Sequence, residues 1–178
     1  MASLRKAGAY SKKYARPYTR VSKKRAQNFI KTSTQKKIVK FAMGNQKAFN
    51  EGKFKTVLRL MTDEKIQMRD NAIEASRQAV SRKLEKEILG QYFFETKTHP
   101  HHILRENKML TGAGSDRMQT GMQKSFGKTI GRAALLGKGH EIFVISTSGD
   151  KQIRLIKKTL QQVKAKLPCK TKITIEKI

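Results

Sequence analysis

Between Met1 and Asn50 the chain carries 14 Lys and Arg and no Asp or Glu; the first carboxylate is Glu51. Like charges at that density repel one another in any compact arrangement, and no acid within the segment offsets them. The segment also lacks the apolar residues that would compensate the entropy of ordering it. We therefore expect residues 1–50 to form a basic N-terminal arm, disordered in the free protein, ahead of a packed domain over residues 51–178. Tyr10, Tyr14, Tyr18, Phe29, Phe41 and Phe49 are interleaved with the cations. That pattern suits RNA, because rings stack on exposed bases while cations meet phosphates. A generic basic tail, such as a nuclear address, is the other reading of the same residues.

The imbalance extends over the whole chain, where 40 Lys and Arg face 13 Asp and Glu for a formal charge of +27. Such self-repulsion calls for a polyanion, and nucleic acid and an anionic membrane surface are the two abundant ones. A length of 178 residues with 37% apolar content is enough for one domain with a modest core. Cys169 is the single cysteine, so no intrachain disulfide forms and a reducing compartment is expected. The N-terminus has no apolar run of the signal-peptide kind, and no stretch approaches the roughly 18 apolar residues of a membrane span. These features lead us to expect a soluble, intracellular protein.

Hydrophobic spacing divides residues 51–178 into elements. From Asp63 to Leu89 there are six acids and six bases, and Ile66, Ile73, Val80, Leu84 and Ile88 recur at sevens and fours. This predicts one helix capped by Thr62 or Asp63, with Ala72, Ala75 and Ala79 allowing close packing. A second helix is predicted from Asp150 to Lys166, capped by Ser148, striped by Ile153, Ile156, Leu160, Val163 and Leu167, and stopped by Pro168. Lys and Arg cover its other faces. A cationic amphipathic helix can lie on a membrane, but the strand-like "KTKITIEKI" that follows favours packing on a sheet. Strands are predicted at Phe54 to Met61, Gln91 to Thr98, His102 to Met109, Ala133 to Leu136, Glu141 to Thr147 and Lys172 to Glu176. Together they indicate an α+β fold: a two-layer sandwich of a mixed sheet with two helices. A long internal loop, residues 110–131, interrupts it; loops of that length are usually functional or disordered.

Catalytic readings fail on spacing. "GKT" at Gly127 to Thr129 resembles the end of a phosphate-binding loop, but five residues rather than four separate Gly121 from Gly127. The dinucleotide fingerprint begun by Gly112 and Gly114 has Arg117 where its third glycine belongs. "THPHH" offers His99, His101 and His102 as metal ligands beside His140 or Cys169. Strand alternation would put His99 and His101 on one face and His102 on the other, without the four spaced ligands that zinc usually takes. No nucleophile motif or carboxylate pair remains, so we expect no enzyme, no cofactor and no metal.

The segment "HPHHILRENKMLTGAGSDRMQTGMQKSFGK" resembles the signature region of the universal large-subunit ribosomal protein L sixteen family, in the archaeal and eukaryotic form called L ten-e. The likeness rests on a His-Pro-x-His strand, an Asn-Lys-Met-Leu step, an Ala-Gly-x-Asp-Arg turn, a Gln-Thr-Gly-Met segment and a Phe-Gly-Lys close. It continues through "GHEIFVISTSGDKQIRLIKKTLQQVKAKLP". Upstream, "ARPYTR" and "IVKFAMGN" are similar to further family elements. Between them "SKKRAQNFIKTSTQKK" departs from the family's Gly-Val-Pro turn, and Ile178 is followed by no eukaryotic-type tail, which points to an archaeal-like member.

The resemblance implies an α/β-hammerhead fold and a place in the cytoplasmic ribosome. It implies contact with large-subunit rRNA near the 5S rRNA, with tRNA in the aminoacyl site and with neighbouring ribosomal proteins, and no membrane. The central loop would point at the peptidyl-transferase centre. On this reading the RNA contacts are Arg16, Tyr18, Arg20, His99, His101, Arg105, Arg117, Lys124, Lys128 and Arg132. Glycines there let backbone approach RNA closely, and Met118 and Met122 fill irregular gaps. A free-standing RNA chaperone or rRNA-processing factor is the alternative.

Overall fold

The computed structural model describes residues 33–106 and 128–177. In chain order these form β1 (Ala42–Gly44), α1 (Gln46–Asn50), β2 (Thr56–Thr62), β3 (Ile66–Arg69), α2 (Asp70–Glu87) and β4 (Tyr92–Thr96). There follow β5 (His102–Glu106), β6 (Lys128–Leu136), β7 (Glu141–Thr147), α3 (Asp150–Val163), a single 3-10 turn (Lys164–Lys166) and β8 (Thr171–Lys177). The class is α+β, as expected. Instead of one mixed sheet there are two antiparallel ones, a five-stranded sheet in the order β1-β4-β7-β2-β8 and a three-stranded sheet in the order β3-β6-β5.

The split originates at β3. Ile66 and Ile73 share a helical spacing of seven, so the sequence suggests continuous helix from Asp63. Ile66 and Met68 also alternate with period two, and that pattern prevails because β6 supplies a partner: Ile66 pairs with Leu136, and Met68 with Ala134. The helix therefore starts at Asp70, not at a Thr62 or Asp63 cap. Asp70 brings a carboxylate to the first turn, where Oδ1 accepts the Asn71 N–H at 2.8 Å. Beyond that point the stripe holds, with Ile73, Val80, Leu84 and Ile88 all buried. Ala75 faces solvent rather than a packing partner.

Helix α3 also keeps its predicted stripe, with Ile156, Leu160, Val163 and Leu167 buried and Ile153 half-buried. Gly149, not Ser148, occupies the cap position. The Ser148 hydroxyl donates instead to the Lys53 carbonyl at 2.6 Å. α2 and α3 cover one face of the five-stranded sheet, and Leu58, Leu60, Phe94, Phe143 and Ile145 join their stripes in one core. Phe94 and Phe143 meet edge to face at 5.3 Å, a geometry that adds about 0.5 to 1.5 kcal/mol to area burial. Cys169 packs against this core, and burial first, then the Glu64 charge, pushes its thiol up to about 11, so it stays protonated.

Alternation places Arg59, Glu95 and Val144 on the opposite face, in one row across β2, β4 and β7. Two cations there are paired with acids. Arg59 bridges Glu141 at 2.9 Å and Glu176 at 3.0 Å, and Lys97 meets Glu95 at 2.7 Å. Phe54, Phe93 and Ala48 of α1 make a small second core.

Residues 33–50 depart from the disorder expected of the arm. Ile38 is buried in the main core, and β1 pairs with β4 from Ala42–Glu95 to Gly44–Phe93. What ties this segment down is an acid remote in sequence. Glu74 on α2 accepts the Val39 N–H and is gripped by Arg77, whose Nε and Nη2 donate to its two oxygens at 2.8 and 2.6 Å. Arg77 Nη1 also donates to the Met43 sulfur. Residues 1–32, including Arg16, Tyr18 and Arg20, lie outside the described residues, as do 107–127, with Arg117 and Lys124. β6 begins at Lys128, five residues ahead of the strand start expected at Ala133.

Gly44 closes β1 at φ 91, a left-handed conformation that L side chains rarely adopt, and a Cβ there would collide with the Tyr92 carbonyl oxygen. That oxygen also accepts the Asn45 N–H at 2.9 Å, so it has little freedom to retreat. Gly44→Ala is expected to lower stability by about 1 to 3 kcal/mol in urea unfolding. An unchanged midpoint would show that β1 can detach freely.

Candidate nucleic-acid interface

The three-stranded sheet and the segment leading into β1 bring basic and aromatic side chains together from three stretches of the sequence. Arg132 lies on β6, opposite Ile103 of β5, and its Nε donates to the Thr34 carbonyl at 2.8 Å. This bond holds the extended segment carrying Lys36 and Lys37 beside the sheet. His99 follows β4, and its ring stacks on Phe41 with centroids 5.4 Å apart and planes 14° from parallel. His101 Nδ1 lies 3.1 Å from the His99 carbonyl oxygen.

Electrostatics mark these groups as neighbours. Desolvation of the His99 ring, followed by the positive charges of Lys36, His101 and Arg132, lowers its pKa below the ordinary imidazole value. The ring is thereby held neutral, with its flat face available and no proton load of its own. One acid sits among the cations. Burial raises the Asp70 carboxyl above the usual range, while Lys37, the Asn71 N–H, Arg69 and Arg132 pull the other way. A single buried carboxylate does not neutralise this set, so the face remains positive.

The structure thus unites His99, His101 and Arg132 of the expected contacts. Arg105 and Lys128 lie on β5 and β6, at register positions opposite Thr129 and Glu106 respectively, adjoining the same sheet. His102 turns inward and is buried, while His99 and His101 are exposed, as alternation suggests. Lys36 and Lys37 were not singled out by the sequence. Their only signal is membership of the acid-free run, in which every cation looks alike until the Arg132–Thr34 bond selects a few.

The arrangement suits RNA: a stacked aromatic pair with an exposed ring, bracketed by cations, is what unpaired bases and their phosphates require. The sequence profile of the family described as "Ribosomal protein L16p/L10e" matches residues 16–174. The chain belongs to that family. Among its relatives are proteins named "Large ribosomal subunit protein uL16". The one from Methanospirillum hungatei is 42% identical over 142 residues, covering 79% of this chain and 80% of its own. That of Thermofilum pendens is 38% identical over 161 residues, 90% of this chain and 89% of its own. The Sulfolobus acidocaldarius protein is also 38% identical, over 174 residues that make up 97% and 93% of the two chains.

Membership of the L16p/L10e family makes the chain a structural, non-enzymatic ribosomal protein, a component of the cytoplasmic ribonucleoprotein that carries out translation. RNA binding is general in the family, and the L16p/L10e match spans the stacked pair and the cations described above. No helix among the described residues is long and apolar enough to cross a membrane.

Proposed function

We propose that this protein is a constituent of the large ribosomal subunit that holds rRNA beside the aminoacyl-tRNA cleft, near the 5S rRNA, and helps to position tRNA there. The observation that carries this reading is the convergence of Lys36, Phe41, His99, His101 and Arg132 on one positive face. The names of the relatives supply the subunit. The resemblance in residues 99–128 supplies the cleft and the neighbouring ribosomal proteins, together with a hammerhead arrangement. In this reading Arg16, Tyr18, Arg20, Arg105, Arg117, Lys124 and Lys128 extend the contact from the arm and the central loop.

Chemistry follows from the arrangement without any catalytic group. His99, neutral and exposed on Phe41, offers a surface on which an unpaired base stacks, and Lys36 and Arg132 meet the flanking phosphates. Such a site orders RNA by positioning alone, so the chain contributes to translation through the geometry of the RNA it holds.

Binding of the full chain to looped large-subunit rRNA fragments tests the first half. Truncating one stacking ring typically costs 1 to 3 kcal/mol per base, so His99→Ala is expected to weaken binding by roughly 10-fold. His99 is exposed, so thermal unfolding should barely move. Equal affinity for all fragments, with no effect of His99→Ala, would overturn the stacking role. Co-sedimentation tests the second half: a subunit constituent stays with salt-washed large subunits, whereas a free-standing chaperone or processing factor remains in the supernatant.

A further inference from the structure

The face just described leaves a second concentration of charge unexplained. From Lys151 to Ile175 the chain has eight Lys and Arg and no acid. The apolar stripe of α3 is consumed by the core, so its outward surface consists of Lys151, Arg154, Lys157 and Lys158 with Gln161 and Gln162, continued by Ala165 and Lys166 of the 3-10 turn. Among the described residues none of these cations pairs with a carboxylate. The opposite face of the sheet behaves differently, since Arg59 and Lys97 are each matched by acids there. Repulsion on α3 is thus tolerated where compensation is available elsewhere in the same fold.

We propose that the outer face of α3 is a second RNA-binding surface, and that it takes the phosphate backbone of an RNA duplex. Its composition selects that occupant. No aromatic ring stands on the exposed side of α3, so nothing there can stack on unpaired bases. Duplex RNA is recognised through phosphates and shape instead, which cations on a rigid helix can supply. With the 14 residues of α3 rising about 1.5 Å each, the row is roughly 21 Å long, enough to face several phosphates. A lipid surface is the poorer match, because the apolar stripe that would enter it is buried in the core.

The two surfaces stand on different elements. Gln152 in the first turn of α3 donates to Gln91 just before β4, whereas His99 lies beyond the other end of that strand. The five residues of β4 rise about 3.3 Å each, so the first turn of α3, which carries Lys151 and Arg154, stands away from the His99 ring. The protein accordingly holds two RNA segments at once, a looped one at His99 and a duplex at α3. This rests on the RNA-binding reading above and adds a second site to it.

Binding of the full chain to two probes separates the sites: a blunt RNA duplex of about 16 base pairs and a looped single-stranded rRNA fragment. The triple variant Lys151→Gln, Arg154→Gln, Lys158→Gln alters only exposed side chains. It should reduce the log–log salt slope for the duplex by roughly two to three and leave looped-fragment affinity within a few-fold. Lys36→Gln with His99→Ala should do the reverse. An unchanged duplex slope in the triple variant overturns the second site while leaving the first intact, whereas failure of both probes to bind the unaltered chain overturns RNA binding itself. If the triple variant instead loses adhesion to phosphatidylcholine–phosphatidylserine vesicles and keeps its duplex slope, α3 faces lipid and the proposal is wrong.

Discussion

Arg77→Ala is expected to destabilise the free protein by about 3 kcal/mol at neutral pH. Arg77 and Glu74 have side chains only 10% exposed, and the guanidinium is the bidentate partner of the carboxylate. Removing it leaves a buried anion with only Gln78 and the Val39 N–H to satisfy it. The pH dependence identifies the cause. The Arg77 hydrogen bonds hold the Glu74 carboxyl below its ordinary value, against the burial that would raise it. A carboxylate with a depressed folded-state pKa contributes stability that is fully present above its unfolded value, near 4.5, and is lost as pH falls through the folded one. In the variant Glu74 protonates readily and no longer needs a counter-ion, so the gap between the two proteins should narrow in acid. Urea unfolding at neutral pH and below pH 4 measures both. A loss under about 1 kcal/mol, or a gap that does not change with pH, would mean that the pair is an incidental surface contact.

The same pair explains which parts of the fold could be read from the chain alone. Helix stripes and most strands were legible because each carries its own period: Ile73, Val80 and Leu84 on α2, and Ile156, Leu160 and Val163 on α3. β3 was not, because Ile66 fits both periods and the choice is made by Leu136 and Ala134, 70 and 66 residues away from their partners. The ordering of residues 38–44 was hidden for a related reason. Nothing within an acid-free segment announces that a carboxylate at position 74, reached only through folding, will accept the Val39 N–H. Local charge repulsion was the right physics applied to too short a stretch of chain.

The candidate site divides along the same line. His99 and His101 stood out because a histidine cluster is rare and alternation fixes their faces. Their partnership with Arg132 and Lys36 depends on β5–β6 pairing and on the Arg132–Thr34 bond across 98 positions. Chemistry-bearing residue types are therefore visible in sequence, but the selection of a few lysines from a run of many is a tertiary event. The lysines of α3 show the converse. Their stripe was legible, but their lack of acidic partners becomes meaningful only beside the Arg59 and Lys97 pairs on the other face.

Binding of the full chain to large-subunit rRNA fragments should weaken by about 10³ to 10⁵ between about 50 and 200 mM salt, the range for 6 to 10 engaged phosphates on the duplex DNA scale. The prediction follows from where uncompensated charge lies. The arm before Glu51 has 14 cations and no acid, the His99 face has one buried carboxylate, and the run from Lys151 to Ile175 has none. Each phosphate whose condensed counterion is displaced by a lysine or arginine adds close to one unit of slope, or about 0.7 where the strand is single. A slope corresponding to only one or two phosphates would contradict the whole electrostatic account, since stacking on His99 and Phe41 is insensitive to salt and would then carry the affinity alone. A steep slope lost mainly on removal of residues 1–32 would assign the binding to the arm. A steep slope that survives that removal, and falls on substitution at Lys36 and on α3, is the result expected of a folded domain whose two faces carry phosphate contacts of their own.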